Sequence, residues 1–240
     1  MNFKPTIEDL FKMDISTLSQ KETKILVDKV IGSEDICHAL EICLDSTHLF
    51  YKVGDICDAV FTRSLSSLAI SSILDMDEKV QTIPLSLLDH ALDRVLLYSK
   101  REIDTRGYVD LRGRWANAIA NGAKMLHSFA LHPNIPKERY VEILQAIEVC
   151  LLKNGHIYTG QESEAFSQTI KTMIERGLGS TPLKSWLTTL VARAISYNGN
   201  KNTLNFLKSL YFVFKKDNEN LKIRLNIYEN ILKLKELTDF

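Results

Sequence analysis

"PLSLLDHALDRVLLYSKREID", residues 84–104, decides the fold class. Leu85, Leu88, Leu92, Val95, Leu96 and Tyr98 recur mostly at three- and four-residue steps, which gathers them on one face of an α-helix. Pro84 stands where a first-turn proline is tolerated, because the first N–H groups of a helix have no intrahelical partner anyway. The arrangement returns twice downstream. In "IPKERYVEILQAIEVCLLKNG" (135–155) Pro136 opens, Tyr140, Ile143, Leu144, Ile147 and Leu151 form the stripe, and Gly155 closes. In "TPLKSWLTTLVARAISYNGN" (181–200) Thr181 is the expected N-cap, Pro182 the first helical residue, and Asn198-Gly199 the stop.

Outward from these three, helical periodicity covers 20–30, 33–44, 56–74, 112–131, 161–176, 202–215 and 220–237. No run shows the strict alternation of a strand, and no hairpin signal occurs. The breaks are Gly32, Gly107, "HPNIP", "NGHIYTG", "GLGSTP" and "NGNKN", none long enough to be an interdomain linker. About ten helices joined by short turns predict an all-α chain: a single all-helical domain over 1–240, built as an α/α superhelix or HEAT-like solenoid of antiparallel helices. No sequence repeat is visible, so any repeat is structural.

Composition excludes several classes. A chain of 240 residues, 45% hydrophobic and 25% charged, can bury a core without disulfides. Thirty basic residues balance thirty acidic ones, so the net field does not favour a polyanion as the main partner. Cys37, Cys43, Cys57 and Cys150 form no CxxC pair and read as buried free thiols in a reducing compartment. Cys37, His38, Cys43 and His48 are neighbours in sequence but match no zinc-ligand spacing. No metal site and no cofactor is implied. The first residues, "MNFKPTIEDLFKMD", are not a secretory signal, and no apolar run reaches the ~20 residues of a membrane span. The expectation is a soluble, cytoplasmic protein.

One stretch departs from plain amphipathic helix: "EIDTRGYVDLRGRWANAIANGAK", residues 102–124. Gly107 suits a tight or left-handed turn, Asp104 can accept backbone hydrogen bonds there, and Arg106 can brace a carboxylate. With a helix starting near Arg112 and Gly113, the 100° step puts Arg114, Asn117, Asn121 and Lys124 on one stripe. Ala116, Ala120 and Ala123 let other helices come close. Asparagines at i and i+4 are mediocre helix formers; the stripe is either solvated or the floor of a polar cleft.

The stretch resembles the signature of the bacterial family catalogued as domain of unknown function 2785. That signature is an acidic-x-Asp-x-Arg-Gly turn followed by a helix of the form Gly-Trp-Ala-His-x-x-Ala-His-x-x-Asp. "DAVFTRSLSSLAISSIL" (58–74) is similar to the family's Asp-x-Val-Phe-x-Arg-Ser segment, and "YTGQESEAF" (158–166) to its Glu-containing loop. The resemblance spans about residues 20–200 and implies an all-helical superhelix, with no activity attached. Where the pattern has histidines this chain has Asn117 and Asn121; Lys124 replaces the acidic residue and Arg114 the glycine before Trp115. An i, i+4 histidine pair could bind a transition metal or move protons; amides and a lysine ammonium do neither. One consequence is testable in a structure: Lys124 and Arg114 would neutralise Glu102, Asp104 or Glu162.

The candidate binding residues are therefore Arg63, Glu102, Asp104, Arg106, Arg114, Trp115, Asn117, Asn121, Lys124, His156 and Glu162, with no catalytic residue assigned. Arg63, Ser64, Asp104, Arg106, Gly107, Trp115 and Glu162 read either as a ligand pocket or as a buried network locking helices together. His127 and His132 suit a helix C-terminus; His156, in a loop, is the better acid–base candidate. "GLGSTP" is a helix stop and start rather than a phosphate loop. Near the C-terminus Tyr211, Phe212, Phe214 and Tyr228 interleave with lysines, either as a core face or as a single-stranded nucleic-acid surface. The leading function is a non-enzymatic binding or scaffold protein with its polar cleft at 102–124. The alternative is an enzyme, or a degenerate relative of one, with a small-molecule pocket there. Partners would be a protein, a peptide or a small molecule; a membrane is excluded, nucleic acid is disfavoured, and a homodimer is compatible.

Overall fold

The computed structural model describes residues 5–14, 18–109, 114–153, 155–196, 200–215 and 221–237. Among these the chain is all-α: eleven α-helices, a 3-10 turn at Lys137–Arg139, and one isolated β-bridge. Its internal contacts group into two compact units, Met1–Ile135 and Pro136–Phe240. No helix among the described residues is long and apolar enough to cross a membrane.

The first unit holds α1 (Ile7–Lys12), α2 (Gln20–Ile31), α3 (Ile36–Cys43), α4 (Ala59–Val80), α5 (Leu85–Arg101) and α6 (Ala118–Leu131). Thr6 and Ser19 close capping boxes with Asp9 and Glu22, and Asp35 accepts the Cys37 and His38 N–H groups. α4 runs through the middle, packed against α2, α3 and α6. It is buried nearly all round from Arg63 to Leu74. Its serines make this possible. Ser66, Ser67 and Ser72 return their hydroxyls to the carbonyl four residues back, so they need no outside partner and leave room for neighbours. α6 answers with Ala118, Ala120, Gly122 and Ala123.

α5 begins directly after Pro84 and buries Leu88, Leu92, Val95, Leu96 and Tyr98 as its stripe predicts. Leu85, counted in that stripe, is solvent-exposed in the first turn. α4 ends in a left-handed Gln81, and the Asp77 carboxylate accepts the Thr82 and Ile83 N–H groups beyond it. The buried His132 at the end of α6 meets the same carboxylate, Nε2 to Oδ2 at 3.1 Å.

The second unit holds α7 (Tyr140–Leu151), α8 (Glu162–Glu175), α9 (Ser180–Ser196), α10 (Asn200–Phe214) and α11 (Leu221–Glu236). All five expected stripe residues of α7 are buried. α9 starts at Ser180, so Thr181 and Pro182 lie inside its first turn rather than at the cap and first position; the Asn198-Gly199 stop falls outside the described residues. Phe214 is buried, whereas Phe212 and Tyr228 are not, so the C-terminal aromatics do not form one core face. The four cysteines are free, with Cys43 and Cys150 buried and Cys37 and Cys57 half-buried.

Candidate functional site

α5 ends at Arg101, and the extended backbone of Glu102 carries the chain away beside α4. The Glu102 carboxylate meets Arg63 of α4 in a bidentate pair, Nε–Oε2 2.5 Å and Nη2–Oε1 2.9 Å, with both side chains buried. The rest of the guanidinium donates to the carbonyls of Tyr51, Lys52 and Asp55 at 3.0, 3.2 and 3.4 Å. The loop supplying these oxygens passes through left-handed conformations at Lys52 (φ 46°) and Gly54 (φ 97°). Burial opposes the Arg63 charge, but the Glu102 pair outweighs it and holds the guanidinium above its ordinary pKa. Glu102 also accepts the Tyr98 hydroxyl and the Asp104 N–H, each at 2.9 Å. Burial, then the neighbouring Glu102 charge, pushes the Tyr98 phenol far up, so it stays a donor.

Two residues on, the fully buried Asp104 accepts the Arg106 backbone N–H, its Nε at 2.8 Å and its Nη2 at 2.5 Å. Arg106 also reaches the Cys57 carbonyl. The hydrogen bonds that Arg106 donates to the Asp104 carboxylate raise its pKa. Gly107 is not left-handed; instead the Trp115 ring lies against it, 3.5 Å from where a Cβ would sit. Val109 N–H bonds the Arg114 carbonyl and Ala116 N–H bonds the Gly107 carbonyl, forming a short antiparallel ladder around the Tyr108–Trp115 bridge.

This ladder corrects the expected helix start. α6 begins at Ala118, after an Asn117 at φ 56°, so Arg114 and Asn117 do not share a helical stripe with Asn121 and Lys124. Gly113 and Arg112 fall outside the described residues. Arg114 instead pairs with Asp58 at 2.9 Å and lies 5.0 Å over the Phe61 ring. Lys124, half-buried, has no salt bridge among the described residues; burial and then Lys24 lower its pKa. Neither cation neutralises Glu102 or Asp104, because Arg63 and Arg106 already do.

The segments that looked like separate motifs thus close on one another. Asp58 holds Arg114, Val60 packs with Ala116 and Ala118, Phe61 underlies Arg114, and Arg63 holds Glu102. Ser64 donates to the Ala116 carbonyl and accepts Asn121 Nδ2 at 2.9 Å. Beside this bracket lies a cavity of about 30 Å³ lined by Gln20, Thr23, Phe61, Ser64, Trp115 and Asn121, among others. Gln20 Nε2, Trp115 Nε1 and Asn121 Oδ1 are buried without a hydrogen-bond partner, as are both polar atoms of Asn117. Gln20 and Tyr98 are the site residues that motif reading misses. Both sit in ordinary amphipathic helices, where nothing in the local sequence distinguishes them.

The remaining candidates belong to the second unit. His156 is exposed in its loop, and buried Glu162, the first residue of α8, accepts the Gly160 N–H at 2.9 Å. Among the described residues no group of three or more His, Cys, Asp or Glu converges as a metal site.

The family described as protein of unknown function (DUF2785) matches residues 49–212. The chain belongs to this family. Among curated proteins and solved structures nothing matches it. The DUF2785 match takes in the whole Asp58–Ser64 and 102–124 bracket, together with α7, α8 and α9 and most of α10.

Proposed function

We propose that this DUF2785 protein is a non-enzymatic helical binding or scaffold protein. Its 102–124 segment is an internal bracket with one neutral polar pocket attached. One observation carries the reading: the two fully buried carboxylates of the segment are each paired, Glu102 with Arg63 and Asp104 with Arg106, and Lys124, without a salt bridge among the described residues, is not one of the residues that line the pocket. An acid–base site needs a titratable group reachable by its substrate. Here the unpartnered atoms, on Gln20, Trp115 and Asn121, are neutral amide and indole groups. Two N–H donors and a carbonyl acceptor suit an uncharged hydroxyl or amide, and about 30 Å³ admits one such group. HEAT-like pairing, a cytoplasmic setting and a protein, peptide or small-molecule partner belong to the same proposal.

The test uses two probes of equal size, formamide and formate, titrated into the full chain. The Trp115 indole N–H resonance is the readout and Trp186 the reference. Formamide is expected to shift Trp115, and Asn121→Leu to abolish the shift. A stronger response to formate, weakened by Arg106→Gln, would instead favour a charged-substrate pocket and the enzyme reading.

A further inference from the structure

α11 is apolar on two faces. Ile223, Ile227, Ile231 and Leu234, with Asn230, are buried in the second unit. On the other side Leu221, Leu225, Tyr228 and Leu232 follow at steps of four, three and four, each 40–53% exposed. Phe212 of α10, 62% exposed, joins them through Tyr211, whose ring lies 5.8 Å from Phe212 and 6.1 Å from Tyr228. A helix that buries one face needs a single stripe. A second one at four-three spacing is the seam of a coiled coil.

The flanks of the seam say which partner fits. At 100° per residue, Arg224 and Lys235 border the stripe on one edge and Glu229 and Glu236 on the other. When two such helices pack in parallel about a two-fold axis, the basic edge of each faces the acidic edge of the other. Arg224 precedes Glu229 by five residues, the offset at which charges meet across a parallel seam. Antiparallel packing would set each edge against itself. One Arg224 nitrogen, Nη1, donates to the Lys215 carbonyl at 2.9 Å, leaving its other N–H groups available, and Glu229 has no partner among the described residues.

We propose that the stripe is occupied by a second copy of this chain, α11 lying parallel to its counterpart. Leu221, Leu225, Tyr228 and Leu232 form the seam, and Arg224 pairs with the partner's Glu229 on both sides. Taking about 200 Å² for a large side chain, the five half-exposed residues offer on the order of 500 Å² per copy. The flanking charged side chains bring this toward the ~800 Å² per partner of a standard interface. The inference concerns the second unit alone and stands independently of the pocket reading.

Sedimentation analysis of the full chain over a concentration series tests it. A dimer is expected, and Leu225→Glu with Leu232→Glu should weaken it by about 100-fold or more while thermal melting stays cooperative, since both positions are exposed. Arg224→Glu and Glu229→Arg should each weaken association about tenfold, and the two together should restore it. A wild-type chain still monomeric at about 200 μM overturns the proposal. So does a dimer indifferent to the double glutamate variant, or a charge swap that fails to rescue, which would mean another surface or an antiparallel seam. Salt-sensitive binding of single-stranded RNA by a monomer, lost in the glutamate variant, would make nucleic acid the occupant instead.

Discussion

Arg63 and Glu102 meet through two parallel hydrogen bonds, Nε to Oε2 at 2.5 Å and Nη2 to Oε1 at 2.9 Å, with neither side chain reaching solvent. Thirty-nine residues separate them in sequence. The pair ties α4 to the end of α5 and gathers the carbonyls of the 51–55 loop around one guanidinium.

Removing one member strands the other. Glu102→Ala leaves a buried guanidinium with only carbonyl partners and is expected to lower unfolding free energy by about 3–5 kcal/mol. Arg63→Met combined with Glu102→Leu removes both charges and should recover most of the loss. Urea unfolding of the single and double variants measures both. A double variant as unstable as the single one would mean that the pair's other partners, the Tyr98 hydroxyl, the Asp104 N–H and the carbonyls of the 51–55 loop, cannot do without it.

Asn117 combines a left-handed backbone, φ 56°, with an amide buried without partners. Asn117→Gly relieves both and should match or exceed the wild-type melting temperature. Asn117→Ala keeps the strain and should fall below the glycine variant by roughly 1–2 kcal/mol. Equal melting temperatures for the two variants would remove the backbone argument.

Lys124 is charged in a setting that disfavours charge, through burial and then Lys24. Its folded pKa lies below the unfolded value of 10.5, so between the two the unfolded chain binds the extra proton and stability rises with pH. Below that window the penalty is complete. Lys124→Met should therefore stabilise at pH 7, by up to about 1 kcal/mol or roughly 2–4 °C, and lose the alkaline gain. Calorimetry at pH 7 and pH 10 checks both.

His127 behaves alike on the acid side. Burial lowers its pKa below 6.5, against a smaller opposing pull from Asp75. As pH falls through 6.5 the unfolded chain takes up the proton first, so stability drops until the lower folded pKa is passed. His127→Gln should flatten the melting temperature between pH 7 and 5; an unchanged acid slope would assign it to other groups.

The helices are legible in the sequence wherever one side faces a core. The α7 stripe is buried residue for residue because Tyr140, Ile143, Leu144, Ile147 and Leu151 lie on a single face. The start of α6 is not legible. From 112 onward the alanines read as helix, yet residues 107–109 pair with 114–116 and the chain turns at Asn117. The contacts that accompany this turn come from α4: Ser64 takes the Ala116 carbonyl, and Val60 packs under Ala116 and Ala118. No local pattern can announce a partner some fifty positions away. The same holds for the site. Polar and glycine content points to 102–124, but only tertiary packing decides that Arg63, rather than Lys124, holds Glu102.

The burial of α4 on nearly all sides carries a kinetic meaning. An amide hydrogen there can exchange with solvent only when the helices covering it come away, which amounts to opening the first unit as a whole. Deuterium uptake along residues 63–74 thus reads the folding free energy of that unit directly, while uptake at the exposed ends of the other helices reports only local fraying.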